Sequence, residues 1–383
     1  MEIPTKEDLI DLTNEGEQPH VSLYMPAATH GVETQQSPIV LKNLRTAAER
    51  ALIESGMRRT DAAEILAPIQ EIEGDFDFWQ HQSGGLAVFL NGSGVRRFRV
   101  PMALPEMALV APRFHLKPLL PLLSEGYRFH VLAISANHTR VLACTPYTQS
   151  EARVPDLPRG ITDVLWPDDP EKQQQFRSFY AGSSGNTAIM HGAGGSEPDA
   201  KDELLRYFHG VDRVLTPYMN EEGGPLVLAC VDYLAPIYRD ANSYPHLVTS
   251  PLSGSPDRAQ DDDLRSQAWE LLEPEVDARR ADSLGRYRQM AGTGQTSNDV
   301  AEAALAAATG KIETVFVSLG KQQWGRIDLD AYRAERHEEK ANGDYDLLDA
   351  IAAHTLVNGG TVYAVEDGDA PESSGVAAIF RYA

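Results

Sequence analysis

The sequence predicts an α/β protein of more than one domain, and three observations carry that expectation. Helical and strand-like apolar periods alternate along the 383 residues. Pro225-Leu226-Val227-Leu228-Ala229-Cys230-Val231 is a near-continuous apolar run, as suits a strand covered on both faces. A chain of this length that is 42% hydrophobic can bury two or three separate cores.

The first segment, 1–125, reads as an α/β domain. Residues 6–13 form a short helix, and His20-Val21-Ser22-Leu23-Tyr24-Met25-Pro26 alternates like a half-buried strand. Ile39, Leu41, Leu44, Ala47, Ala48, Ala51 and Leu52 recur at the spacing of an amphipathic helix. Residues 84–90 and 95–100 are strands on either side of Asn91-Gly92-Ser93-Gly94, because Asn-Gly supplies the positive φ a tight hairpin prefers. In the apolar stretch 116–123, Pro118 and Pro121 keep any helix short.

The second segment, 126–255, opens with strands at 129–135 and 139–144 joined by Ala136-Asn137-His138, a hairpin. Leu204, Phe208, Val211 and Leu215 mark one face of a helix expected to end before Pro217, and the run at 225–231 follows. Residues 243–263 are rich in Pro, Ser and Asp and read as a linker, of which 244–248 can still pack on the preceding domain, with the boundary near Ser255. The third segment, 256–383, shows helices at 264–281, 297–308 and 345–356 and strands at 313–319, 361–365 and 376–380. This alternation predicts a sandwich of parallel strands joined by helices.

Lys and Arg total 34 against 56 Asp and Glu, a formal net charge of −22, which disfavours broad adhesion to phosphate backbones and makes any nucleic-acid contact local. No DNA partner is expected. Cys144 and Cys230 sit in apolar strands without a CxxC pair or Cys/His cluster, so neither a metal nor a disulfide framework is expected, nor a cofactor. The first residues lack the basic start and apolar block of a secretory signal, and no run reaches the ~20 apolar residues of a membrane helix; a cytoplasmic protein is expected.

The candidate sites start at His191-Gly192-Ala193-Gly194-Gly195-Ser196, just ahead of a helix with Pro198 near its start. This turn is either a plain surface connection or a functional loop, and the helix N-terminus after it offers free N–H groups to an anion. An unperturbed imidazole titrates near neutrality, so His191 could carry a proton. Arg206, His209 and Arg213 lie opposite the apolar face of that helix and form a basic stripe suited to an RNA phosphate; with Asp202 and Asp212 interleaved, the alternative is a solvated face of intrahelical ion pairs. Gly292-Thr293-Gly294-Gln295-Thr296-Ser297 reads as a turn with Thr296 or Ser297 capping the next helix. Gly182-Ser183-Ser184-Gly185 lacks the G-x-S-x-G pattern of a nucleophile elbow. Asp232, at a strand end, is either a site carboxylate or a loop cap.

Taken in order, Val21-Ser22-Leu23-Tyr24-Met25-Pro26 with Leu41-Lys42-Asn43-Leu44-Arg45, the hairpin at 129–144, the glycine loop with its helix, and Asp346-Leu347-Leu348 through Asn358-Gly359-Gly360 to Ala377-Ala378-Ile379-Phe380-Arg381-Tyr382 make the chain resemble the bacterial relatives of archaeo-eukaryotic peptide-chain release factors and Pelota. The resemblance implies an N-terminal α/β domain, a ribonuclease-H-like middle domain and a C-terminal α/β sandwich resembling a ribosomal RNA-binding protein. It also implies the ribosome and tRNA as partners. In those translation factors a Gly-Gly-Gln loop of the middle domain assists hydrolysis of the peptidyl-tRNA ester. The matching position here reads Gly194-Gly195-Ser196, without the glutamine. A Gln amide both donates and accepts on a longer reach than a Ser hydroxyl. If backbone N–H groups carry the catalysis, the loop still works; if the glutamine is essential, the chain binds without cutting. The expected function is therefore release-factor-like action in translation termination or ribosome rescue, and the alternative is a non-enzymatic interaction protein on the same fold. A small-molecule hydrolase using His191 is a third reading.

Overall fold

In the computed structural model, which describes residues 4–14, 19–27, 36–123, 127–165 and 197–382, the chain divides into two units: Met1–Gly126 with Ala278–Ala383, and Tyr127–Asp277. The first unit begins with helix α1 (Lys6–Asn14) and strand β1 (His20–Pro26), both where the periodicity predicts them. Helix α2 (Ser37–Glu54) buries Leu41, Leu44, Ala48 and Leu52, whereas Ile39 and Ala47 of the expected apolar face are exposed. Helices α3 (Arg59–Gly74) and α4 (Phe76–Gln80) follow where no helix was expected. Pro68 inside α3 argues against a helix locally, but Ala62, Leu66, Ile69 and Ile72 give it a buried face that holds it in place. Strands β2 (Gly85–Asn91) and β3 (Gly94–Val100) form the expected hairpin, with Asn91 opposite Gly94, although the positive φ falls on Gly94 at +148° rather than on Asn91-Gly92. With β4 (Met107–Ala111) they make an antiparallel sheet in the order β3-β2-β1-β4. One face of that sheet packs under α2 and α3; the other carries Tyr24, Ala87 and Phe89 into a core shared with residues 300–380. A 3-10 turn (Lys117–Leu119) runs into the short helix α5 (Leu120–Leu123).

The second unit is built on a sheet of β5 (Phe129–Ile134), β6 (Thr139–Cys144), β7 (Gln149–Glu151), β8 (Leu226–Cys230) and β9 (Leu252–Ser253), in the order β7-β6-β5-β8-β9. All five residues of β8 are buried, as its unbroken apolar run predicts. Helices α6 (Ile161–Leu165), α7 (Glu197–Glu222) and α8 (Leu234–Ala241) belong to this unit. α7 runs through Pro217 rather than ending before it: Leu215 and Met219 are buried on either side while the proline is exposed, so packing outweighs the lost backbone bond. Residues 243–263, linker-like in composition, are partly spent on the sheet. Val248 N–H donates to Leu226 O at 2.8 Å, and β9 pairs parallel with β8, because an interior strand needs partners for both its edges. Helix α9 (Asp261–Gln289) is longer at both ends than expected, and the division between the units falls within it.

After α9 come β10 (Thr296–Ser297), α10 (Val300–Ala308), β11 (Ile312–Ser318), β12 (Trp324–Asp328), β13 (Arg333–His337), β14 (Tyr345–Asp346), α11 (Leu347–Val357), β15 (Thr361–Val365) and β16 (Val376–Phe380). Two sheets result, β10-β16-β11-β15 and β13-β12-β14. The expectation of parallel strands holds only for β11 with β15; β16 is antiparallel to β11, since it follows β15 without the helical crossover that a parallel neighbour requires. The cap of α10 also differs. Asp299 accepts from Glu302 N–H at 2.8 Å, while Thr296 and Ser297 lie in β10. The whole is a mixed α/β architecture of several sheets.

Candidate nucleic-acid interface on the middle unit

Helix α7 is amphipathic, and its position follows from that. Leu204, Tyr207, Phe208, Val211, Leu215 and Met219 are buried against residues of β5, β6 and β8. The Tyr207 hydroxyl shares a hydrogen bond with the Thr139 hydroxyl and donates to Ser135 O at 3.3 Å. Burial pushes its pKa up, so it stays a protonated donor. A Cβ on Gly210 would lie 2.9 Å from Val164 Cγ2, so the missing side chain is what lets α6 approach the helix.

The opposite face carries Arg206, His209 and Arg213, all exposed, at spacings that place them on one stripe. Asp212 does not neutralise them. It is 8% exposed and turned to Ser243: its carboxylate accepts from Ser243 N–H at 2.9 Å, Ser243 Oγ at 2.7 Å and Thr216 Oγ1 at 2.9 Å. Asp202 is exposed, and among the described residues neither Arg206 nor Arg213 makes an ion pair. Two guanidiniums are thus left uncompensated on a chain of net charge −22.

His191, Gly194, Gly195 and Ser196 lie outside the described residues, as does Gly182-Ser183-Ser184-Gly185. The turn at 292–297 closes α9: Gly292 and Gly294 both take φ +79, and Thr293 Oγ1 donates to Met290 O at 2.6 Å. Asp232 is exposed just beyond β8. Both cysteines are buried. Burial pushes the Cys144 thiol up to about 12 and the Cys230 thiol up to about 11, which suits packing rather than nucleophilic attack. Among the described residues no three His, Cys, Asp or Glu side chains gather as a metal site, and no helix is long and apolar enough to cross a membrane.

The other unit holds a buried ionic cluster that sequence reasoning missed. Asp349 Oδ1, in the first turn of α11, accepts from the backbone N–H groups of Leu116 and Lys117 at 2.6 Å each and lies 3.6 Å from His115 Nδ1. Lys117 Nζ is 2.6 Å from Asp346 Oδ2 and also donates to Lys321 O. Burial lowers the His115 pKa, against the pull of Asp349 and Asp346, leaving a neutral ring beside the carboxylate. No local pattern could announce this, since the partners stand 204 to 234 positions apart. The cluster joins backbone to helix end and is sealed from solvent, which fits a structural role.

Residues 129–274, nearly the whole of the second unit, match the family described as bacterial archaeo-eukaryotic release factor family 7. The chain is release-factor-like over that segment, which is under half its length, in agreement with the resemblance read from the sequence. No curated protein matches. Among solved structures, an archaeal translation termination factor, aRF1, aligns at 12% identity over 99% of both chains with a TM-score of 0.22. The archaeal Pelota of a ribosome-bound model with ABCE1 aligns at 10% over 100% of this chain and 95% of that one, TM-score 0.36. Dom34 of S. cerevisiae, titled a translation termination-like factor interacting with Hbs1, aligns at 9% over 99% and 92%, TM-score 0.33.

Proposed function

We propose that this chain is a release-factor-like protein with a role in translation, engaging the ribosome and tRNA through its middle segment in termination or rescue. The observation that carries the reading is the exposed stripe Arg206, His209 and Arg213, whose two guanidiniums make no ion pair among the described residues and lie within the segment matching the release-factor family. Such cations would hold the phosphate backbone locally, where the acidic remainder of the surface repels it. On this reading the loop His191, Gly194, Gly195, Ser196 is presented to the peptidyl-tRNA ester ahead of a helix fixed on the sheet. The segments 1–125, 126–255 and 256–383 would serve as N-terminal, ribonuclease-H-like middle and C-terminal domains of a cytoplasmic factor.

Co-sedimentation with ribosomes, vacant or stalled, at low salt tests the binding. The chain should pellet with the particles, and Arg206→Ala with Arg213→Ala should release it; a wild-type chain that never shifts defeats the proposal. Ester cleavage is a separate step. Release of a formylmethionyl group from P-site tRNA by the wild type, abolished in Gly195→Ala, would assign catalysis to the loop backbone. The serine in place of glutamine favours a second reading, a binding protein without hydrolysis, for which co-sedimentation persists while no ester is cleaved in either chain.

A further inference from the structure

The sheet β3-β2-β1-β4 has two edges of opposite character. Strand β3 carries Arg96, Arg97 and Arg99, the kind of charge that keeps another strand from pairing there. Strand β4, Met107-Ala108-Leu109-Val110-Ala111, has no charge, proline or bulge, and among the described strands it pairs only with β1. The register fixes which of its backbone groups face outward. Ala27 N–H donates to Gly84 O at 3.0 Å, so Met25, Leu23 and Val21, at steps of two, turn their backbone groups to β2, while Tyr24, Ser22 and His20 turn theirs to β4. Opposite these three stand Met107, Leu109 and Ala111. The N–H and C=O groups of Ala108 and Val110 therefore face away from the sheet. Lys340, which belongs to no strand of this sheet, donates Nζ to Val110 O at 2.7 Å, as that direction requires.

A cavity of about 500 Å³ lies beside this edge, with Val110 and Ala111 in its wall. Its charged lining residues are Glu54, Lys340 and Asp344. The Lys340 ammonium lies 5.2 Å from the centroid of the Trp324 ring, so the place already accommodates a cation. Asp344 is fully buried; its Oδ2 accepts from His337 Nδ1 at 2.7 Å and Ala341 N–H at 2.9 Å, while its Oδ1 has no hydrogen-bond partner among the described residues. Glu54 is exposed at the cavity, and Glu106 is exposed one position before β4. Carboxylates thus stand at both ends of an uncharged edge, and one of them has an oxygen to spare. Strand addition joins these observations, because backbone bonds to an edge give affinity and a side-chain pocket gives selectivity. Charge selects among the occupants. A second copy of this chain would bring a further −22 with its own Glu54 and Glu106, and an acidic peptide would meet the same carboxylates, whereas a basic segment neutralises them.

We infer that β4 is a docking edge for an extended, basic peptide segment of a partner protein, which adds a further strand through Ala108 and Val110 and places a lysine or arginine side chain in the cavity with Asp344. Ala108 and Val110 each offer one donor and one acceptor, and an N–H of the incoming strand takes the place of Lys340 at Val110 O. The surface lies outside residues 129–274, the segment that matches the release-factor family, and does not rest on the proposed function.

Fluorescence anisotropy of the full chain with a short labelled peptide of alternating valine and lysine tests it. Ala108→Pro removes the outward N–H at a position where an edge strand tolerates proline, leaves the bonds to β1 in place, and should weaken binding at least about tenfold. Amide exchange of β1 and β2 as in the wild type separates that loss from a lost fold. Lys340→Met frees Val110 O and should tighten binding about threefold, an outcome that unfolding would not give. Wild-type affinity in Ala108→Pro overturns the docking edge. Equal binding of the same peptide methylated on its backbone nitrogens overturns it too, since attraction to a chain of net charge −22 would then suffice. Equal binding of a valine–glutamate peptide overturns the basic character of the occupant. A wild-type chain that takes up neither peptide, or a dimer in light scattering that Ala108→Pro dissolves, overturns the partner segment, while ribosome co-sedimentation still decides the proposed function.

Discussion

At the scale of single residues, burial decides which side chains titrate and which can react. His354, beside Arg113 with its Nε2 3.0 Å from Arg113 Nη1, has its pKa lowered to about 4, first by burial and then by the neighbouring guanidinium. An unfolded chain would hold this histidine near 6.5. Between those values the unfolded state binds a proton that the folded state refuses, so stability is complete above about pH 6.5 and falls as the pH drops towards 4, by up to about 1.4 kcal/mol per pH unit. His354→Gln keeps an acceptor for Arg113 and removes the titration. Denaturant unfolding from about pH 7 to about pH 4.5 should therefore show a shallower loss in the variant than in the wild type. Some loss persists, because burial also lowers the pKa of His115 and His130; parallel curves for the two proteins would sink the idea. The stripe on α7 is legible at this scale, since helical spacing alone separates Arg206, His209 and Arg213 from the apolar face. The role of Asp212 is not, because its partner Ser243 lies 31 positions away.

At the scale of elements, apolar pattern carries the assignment wherever it is long and regular, and fails where a single residue contradicts its surroundings. The β2–β3 hairpin and the β8 run form as their residues predict. Helix α3 hides behind Pro68, and the β12–β13 hairpin behind polar strands, Trp-Gly-Arg-Ile-Asp and Arg-Ala-Glu-Arg-His, that lack apolar alternation. Pro217 in α7 turns the same conflict into a measurable quantity. Without an N–H it leaves Arg213 O with no i+4 donor, yet the helix continues to Glu222 because Met219 is buried beyond it. Pro217→Ala restores that bond at an exposed position. It should stabilise Tyr127–Asp277 by about 1–3 kcal/mol, visible as a higher denaturant midpoint with an unchanged slope. A variant no more stable than the wild type would mean that the helix is bent to suit the proline, and that its packing gains nothing from a straighter path.

At the scale of the whole molecule, residues 4–123 and 278–382 share one core although the second unit separates them in sequence. Tyr24, Phe89 and Phe98 belong to the same cluster as Val300, Val315, Leu348 and Phe380. Reading along the chain cannot reveal such a union, because each helix and strand shows an apolar face without naming the face that covers it. The polar cluster around Asp349 makes the union specific: one carboxylate accepts from two backbone N–H groups of the N-terminal segment from the first turn of α11, where the helix dipole favours its charge. Asp349→Ala removes that acceptor and leaves two buried N–H groups unpaired beside His115 and Lys117, at a cost of about 3–5 kcal/mol. Lys117→Met should cost less, since Asp346 keeps the N–H groups of Gln323 at 3.0 Å and Leu348 at 3.1 Å. Hydrogen exchange locates the effect. In Asp349→Ala, amides of β1, β2, β11 and α11 should lose protection together, because one core holds them, while those of β5 and β8 exchange as in the wild type. If β11 and α11 kept their protection while β1 and β2 lost theirs, the N-terminal and C-terminal segments would be separate cooperative bodies, and Asp349 a local cap on one of them.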